Sequence, residues 1–225
     1  IVAQGLVEGV LLMEVRSHDP RVEVLRESGT PFCLIGRTDD SQDLTYVDAD
    51  FSQWGPMAIH HLADLGHKHI AFLSGPRASW MNTERWTNLM KNAVKAGMTI
   101  VEIGPNDPTL EAGRLSVDRI KASGVTAVVT YNDVMGIGLL REAIAQGIKI
   151  PEDLSIIGFD NIFGSDFTSP PLSTVHHNLE QNGHDGVTAL MSLLDNEDLG
   201  PEDIPAPNHE ASLLVRGSTA KAKKA

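Results

Sequence analysis

Cysteine is almost absent: Cys33 stands alone in 225 residues, which excludes an internal disulfide and agrees with a reducing compartment such as the cytoplasm. Basic charge is scarce too. Against 30 acidic residues stand 18 Lys and Arg, for a formal net charge of −12. A nucleic-acid surface needs clustered cations to displace counterions from phosphates. The one basic cluster is Arg216 with Lys221, Lys223 and Lys224, and residues 218–225 read as a solvated, disordered tail. This chain alone is therefore not expected to bind DNA. No apolar run approaches the ~20 residues of a membrane span and no signal-peptide pattern opens the chain, so no membrane partner is expected.

The motifs of several enzyme classes are missing as well. Gly136-Ile-Gly138 lacks the third glycine of a dinucleotide fingerprint and falls inside a helical pattern rather than before one. There is no Walker A loop and no GxSxG nucleophile elbow. Histidine is plentiful but poorly spaced for a metal. The adjacent pairs His60-His61 and His176-His177 diverge, and His67-Lys68-His69 has no cysteine or acidic cluster to complete a site. No metal or cofactor is expected, and the imidazoles read as helix-end and surface groups. Cys33, in an apolar strand, reads as a buried structural thiol.

What is present is the profile of a soluble globular protein, 41% hydrophobic and 21% charged, long enough for two lobes. Apolar runs of strand length, GVLLMEV (9–15), FCLIG (32–36), IAFLSG (70–75), AVVTYN (127–132) and LSIIGFD (154–160), lack the polar alternation of a one-sided sheet. Helical patterns lie between them. Ala58, Leu62 and Leu65 recur at helical spacing before a stop at Gly66. A helix from Thr109 to Gly124 turns Leu115 and Ile120 inward. Met135, Leu139 and Ile144 mark another, with Asp133 as N-cap and Gly147 as C-cap, and residues 179–194 a fourth, weakened by Gly183 and Gly186. The order is that of an α/β protein with doubly wound parallel sheets.

Ligands of such sheets gather beyond the strands' carboxyl ends. There the chain offers Asn132 and Asp133, then Asp160 and Asn161, and, in a loop after IAFLSG, Trp80 and Arg85. A carboxylate, an amide, a guanidinium and an aromatic face suit a polyhydroxylated molecule. Asn132 and Asp133 also have a reading as caps of the next helix. Asp160 has no clear helix after it to cap, which favours ligand contact.

These residues resemble the LacI/GalR family of bacterial transcription regulators, in the effector-binding domain. The resemblance is carried by VDADFSQWGPMAIHHLADLGHKHIAFLSGP (47–76), AVVTYNDVMGIGLLREAIAQGIKIPEDLSIIGFDN (127–161) and SPPLSTV (169–175). It implies a two-lobed, periplasmic-binding-protein-like (type I) fold with a sugar- or nucleoside-class effector held between lobes. Arg85, Asn132 and Asp160 would then contact the effector. His177 falls where many members carry a glutamine, and an imidazole there would make affinity depend on pH near neutrality. Gly36 replaces an acidic residue common in the family, and Arg37 follows it as a substitute. Pro108 stands where members often place an aromatic, so Trp80 is expected to supply that face. Phe163 is expected to wall the site or pack its loop with Phe167, and SPPLSTV to lead rigidly into a hinge.

The resemblance divides the chain into a first lobe of 1–48 plus 176–195 and a second of 49–175 plus 196–217, hinged near Asp48, Val175 and Asp195. It also implies a chain that starts inside the first lobe, without the helix-turn-helix headpiece through which the whole protein would bind operator DNA. GVLLMEV and the helix around Val22 to Glu27 would lie near a homodimer interface. Two alternatives share the ligand set: a periplasmic sugar receptor of the same fold, and a sugar-acting enzyme with Asp160 as acid or base.

Overall fold

The computed structural model describes residues 5–48, 53–195 and 211–223. Its elements in chain order are β1 (Val10–Leu12), α1 (Pro20–Ser28), β2 (Phe32–Ile35), β3 (Tyr46–Val47), α2 (Trp54–Asp64), β4 (His69–Leu73), α3 (Trp80–Lys95), β5 (Thr99–Ile103), α4 (Leu110–Leu115), α5 (Val117–Ser123), β6 (Ala127–Thr130), α6 (Asp133–Ala145), β7 (Ser155–Phe159), β8 (Ser173–His176), α7 (Leu179–Leu194) and β9 (Ser212–Leu214). The described parts of Ile1–Asp50, Ala78–Met81 and Asn178–Glu210 form one compact unit, and those of Phe51–Arg77, Asn82–His177 and Ala211–Ala225 a second. His176 and His177 thus group with the second unit, and residues 196–210 lie outside the described residues.

The first unit holds a parallel sheet in the order β1-β2-β3. Alternation along its strands builds two cores. Leu12 and Leu34 point to the side where Val22 and Leu25 of α1 pack, while Leu11 and Cys33 point to the side of Ala189 and Leu190 of α7. Both faces are therefore covered, which is why the strands read as unbroken apolar runs. Cys33 is fully buried and its thiol is pushed up to about 11 by desolvation, as expected of an inert structural group. Asp19 caps α1 by accepting the Arg21 N–H at 3.1 Å, and Gly29 ends it at φ 67°.

The second unit holds six strands in the order β5-β4-β6-β7-β8-β9. All pair in parallel except β9, which is antiparallel to β8. The predicted helix from Thr109 to Gly124 is two helices. Thr109 caps α4 as expected, but the Ser116 hydroxyl donates back to the Ala112 carbonyl at 2.7 Å and the chain restarts as α5. Ile120 is buried, whereas Leu115 and Ile144, both expected inside, are 61% and 41% exposed. Gly136 and Gly138 lie at tight packing contacts. A Cβ on Gly138 would strike the Leu110 carbonyl of α4, and one on Gly113 the Met135 carbonyl of α6, so the two helices cross backbone to backbone.

The end of the chain is not frayed up to Lys223, contrary to the tail expected from 218. Ser218 is buried, donating to the Ile156 carbonyl at 2.6 Å and accepting the Ser173 N–H at 2.7 Å. Two histidines hold the following residues. His61 Nε2 lies 3.0 Å from Thr219 Oγ1. His67, also buried rather than a surface group, spans Thr126 Oγ1 at 2.8 Å and the Ala220 carbonyl at 3.1 Å. Burial lowers both imidazoles from 6.5; Asp64 opposes this at His61, and the Ala220 carbonyl does so at His67. The unfolded chain then takes up protons first as pH falls. The contribution of these groups is complete above about pH 6.5 and declines below it. The Ala222 N–H, which donates to the Leu65 carbonyl, is expected to lose exchange protection as pH falls below about 6.5 after correction for intrinsic rates. A His61→Gln/His67→Gln variant should abolish that loss.

Candidate functional site

At the carboxyl end of β7 the chain makes a sharp turn in which two consecutive non-glycine residues, Asp160 and Asn161, have φ of 100° and 52°. Such backbone is unfavourable for L-residues and persists only where its surroundings hold it. The turn presents the Asp160 carboxylate to two cationic or donor groups. Arg85 Nη2 donates to Oδ1 at 2.9 Å, and His177 Nε2 lies 3.3 Å from the same oxygen. Facing a carboxylate, His177 Nε2 carries the proton and Nδ1 is left as acceptor. Side-chain exposure is 18% for Asp160 against 1% for Arg85 and 4% for His177. Burial raises the Asp160 carboxyl, but the Arg85 charge and the His177 hydrogen bond outweigh it and hold it below its ordinary value.

Arg85 does not lie in a loop, as the sequence suggested; it sits on α3, as does Trp80 at the helix start. Its guanidinium donates to the Tyr131 carbonyl and lies among three rings, 5.3 Å from Trp54, 5.1 Å from Tyr131 and 4.6 Å from Phe159. The Trp54 ring also stacks on His177, centroids 4.4 Å apart. This aromatic box shields the guanidinium from water while satisfying it by cation–π attraction. Among the described residues, Arg85 Nε and His177 Nδ1 have no hydrogen-bond partner.

Asn132, rather than Asp133, caps α6, its side-chain oxygen accepting the Met135 N–H at 3.0 Å. Asp133 takes the first helical position instead and is fully buried. Its oxygens accept the Thr174 hydroxyl at 2.7 Å and the Ile162 N–H at 3.0 Å. Burial pushes its carboxyl up to about 7, against the pull of those two donors. SPPLSTV (169–175) runs into strand β8, and Thr174 from that strand also accepts the Asn161 N–H at 3.3 Å.

Arg37 and Trp80 come together in the first unit. The Arg37 guanidinium lies 4.9 Å from the Tyr46 ring and 5.9 Å from the Trp80 ring, and its Nε is 2.7 Å from Asp48 Oδ2. These rings border a hollow of about 500 Å³ with Thr38, Asp39 and Gln42. Phe163 is 89% exposed and packs edge-on against the 70% exposed Phe167 within its loop. Trp54, Tyr131 and Phe159 escaped the sequence reading because each lies in an apolar pattern that core packing explains equally well. Arg216 escaped because it was grouped with the basic cluster at the end of the chain.

Residues 59–219 match the model of the periplasmic binding protein-like domain. The transcriptional regulator CelR of Thermobifida fusca is 30% identical over 220 residues, 94% of this chain and 63% of CelR. A CelR–cellobiose complex superposes with a TM-score of 0.86 at 28% identity, over 96% of this chain and 67% of that one. A LacI family regulator from Bifidobacterium animalis subsp. lactis gives 0.84 at 28% identity, over 99% and 81%. The chain is a periplasmic binding protein-like domain of the LacI family. It spans 63% of the length of its curated relative CelR. The relatives in this family are regulators and not enzymes. Among the described residues no helix is long and apolar enough to cross a membrane, and no group of three or more His, Cys, Asp or Glu is placed to hold a metal.

Proposed function

We propose that this chain is the effector-binding part of a cytoplasmic LacI/GalR-type regulator that takes a small sugar- or nucleoside-class molecule between its two lobes. Binding biases the whole protein, a homodimer, between states of different affinity for operator DNA. The observation that carries this reading is the Asp160 carboxylate, the open member of a cluster whose other members, Arg85 and His177, are buried behind it. A carboxylate held ionised accepts hydrogen bonds from two hydroxyls, and the buried Trp54 ring, packed on His177 and Arg85, stiffens the cluster behind it. Asn132 keeps its amide nitrogen as a donor after its oxygen has capped α6. Arg37 and Trp80 offer a second guanidinium and ring on the first unit. The bound cellobiose of the CelR structure supports the sugar class.

The enzyme alternative fares worse. Asp160 is tied to Arg85, and the neighbouring carboxylate of Asp133 is buried and bonded to Thr174 and Ile162, so it is not placed to exchange protons with a substrate. The regulatory relatives weigh against a periplasmic receptor. A ligand regulates only through its differential affinity for two states. Operator affinity of the full-length protein is therefore expected to change at least about fivefold with one member of a panel of mono- and disaccharides and nucleosides. A flat response across the panel counts against the regulatory reading.

A further inference from the structure

We propose that Arg216 is a positioning residue for effector binding: with Asp133 as the opposing jaw, it clamps the Asp160–Asn161 turn and so aims the Asp160 carboxylate. This deepens the effector reading and rests on it. The turn needs such support, because Asp160 and Asn161 both stand at positive φ and neither is glycine. On one side the Arg216 guanidinium donates to Asn161 Oδ1 at 2.7 Å, to Ser165 Oγ at 3.1 Å and to the Leu172 carbonyl at 2.8 Å. Its own N–H donates to Ser173 Oγ at 2.9 Å, which fixes the guanidinium's base to β8. On the other side Asp133 receives the Ile162 N–H and, through the Thr174 hydroxyl, supports the Asn161 N–H.

Neither jaw touches Asp160 directly through these bonds. They fix the backbone on its far side, while the Asp160 N–H is held by the Val175 carbonyl at 2.9 Å. The turn that carries the carboxylate is thus fixed at both ends, and from it the side chain reaches Arg85 and His177. Because Arg216 takes Asn161 Oδ1, it also turns the Asn161 amide nitrogen toward His176 Nδ1, 3.5 Å away. A binding group needs such a supporting layer, since a looser turn would keep the carboxylate present but misplaced.

The test follows the Asp160 carboxyl carbon by NMR in full-length protein labelled with ¹³C-aspartate, in wild type, Arg216→Gln, Asn161→Gly and the double variant. Glycine accepts the positive φ of Asn161 and removes the Arg216 contact from the other side, so it serves even if Arg216→Gln does not fold. The Asp160 titration is expected to move toward that of a free aspartate in each single variant. The double variant should move no further than Arg216→Gln alone, because that change already removes the contact to Asn161. Cellobiose and adenosine serve as binding probes, and the affinity of whichever binds wild type should fall about tenfold in the singles. An Asp160 titration identical to wild type in folded Arg216→Gln and in Asn161→Gly overturns the clamp. A shifted titration in a protein whose wild type binds neither probe supports the clamp and goes against the effector reading beneath it.

Discussion

Replacing Asp160 by Asn is expected to destabilise the folded chain by about 3 kcal/mol in urea unfolding, more than almost any other polar substitution here. The loss arises less at Asp160, which is partly open, than at Arg85. That guanidinium is 1% exposed, and without the carboxylate it is a buried charge with only a carbonyl and three ring faces around it. Breaking one side of a buried pair costs more than replacing both sides. The double variant Asp160→Asn/Arg85→Met should therefore recover about half of the loss, because a thioether suits a pocket walled by Trp54, Tyr131 and Phe159. Equal stability of the single and double variants would show that Arg85 is not held by its counter-ion. The pair also sets an acid limit. A carboxyl held below 3.8 in the folded chain contributes stability that is complete above that value and is lost as pH falls through the folded one.

The second large effect concerns two helices rather than the site. Gly138→Ala and Gly113→Ala should each cost about 3 kcal/mol or more, because the added methyl meets a backbone carbonyl that cannot rotate away. Helices α4 and α6 would have to separate, and α6 carries Asn132 and Asp133 at its start. Gly183 on α7 is the contrasting case: a Cβ there meets nothing within 4 Å, so Gly183→Ala should stabilise the chain by about 0.5–1 kcal/mol through helix propensity alone. Thermal unfolding of the three variants reads this directly. A neutral Gly138→Ala would mean that the close crossing is not maintained.

How much of this was legible follows from what each residue type reports. Runs such as AVVTYN and LSIIGFD announced buried parallel strands because both sheet faces are covered. The edge strand β5, with Thr99 and Glu102 exposed, and the two-residue β3 have too little apolar content to do so. Asp160 was legible as a charge ending an apolar run. Its partner Arg85 was found, but its helix was not, because WMNTERWTNLMKNAVK mixes polar and apolar positions and followed a loop-like GPRAS. The packing role of Gly138 needs the Leu110 carbonyl of α4, which no local pattern reveals. The clamp is the least legible part. Arg216 is separated from Asn161 by 55 residues, and charge composition grouped it with the lysines at the end of the chain.

The central claim is that an effector binds at the Asp160 carboxylate, and calorimetric titration of a sugar and nucleoside panel into full-length protein tests it most directly. Wild type should bind at least one member with a Kd below about 1 mM, and the folded Asp160→Asn/Arg85→Met variant should bind it at least about a hundredfold more weakly. Equal affinity in the two proteins, or no binding by wild type across the panel, would contradict the account.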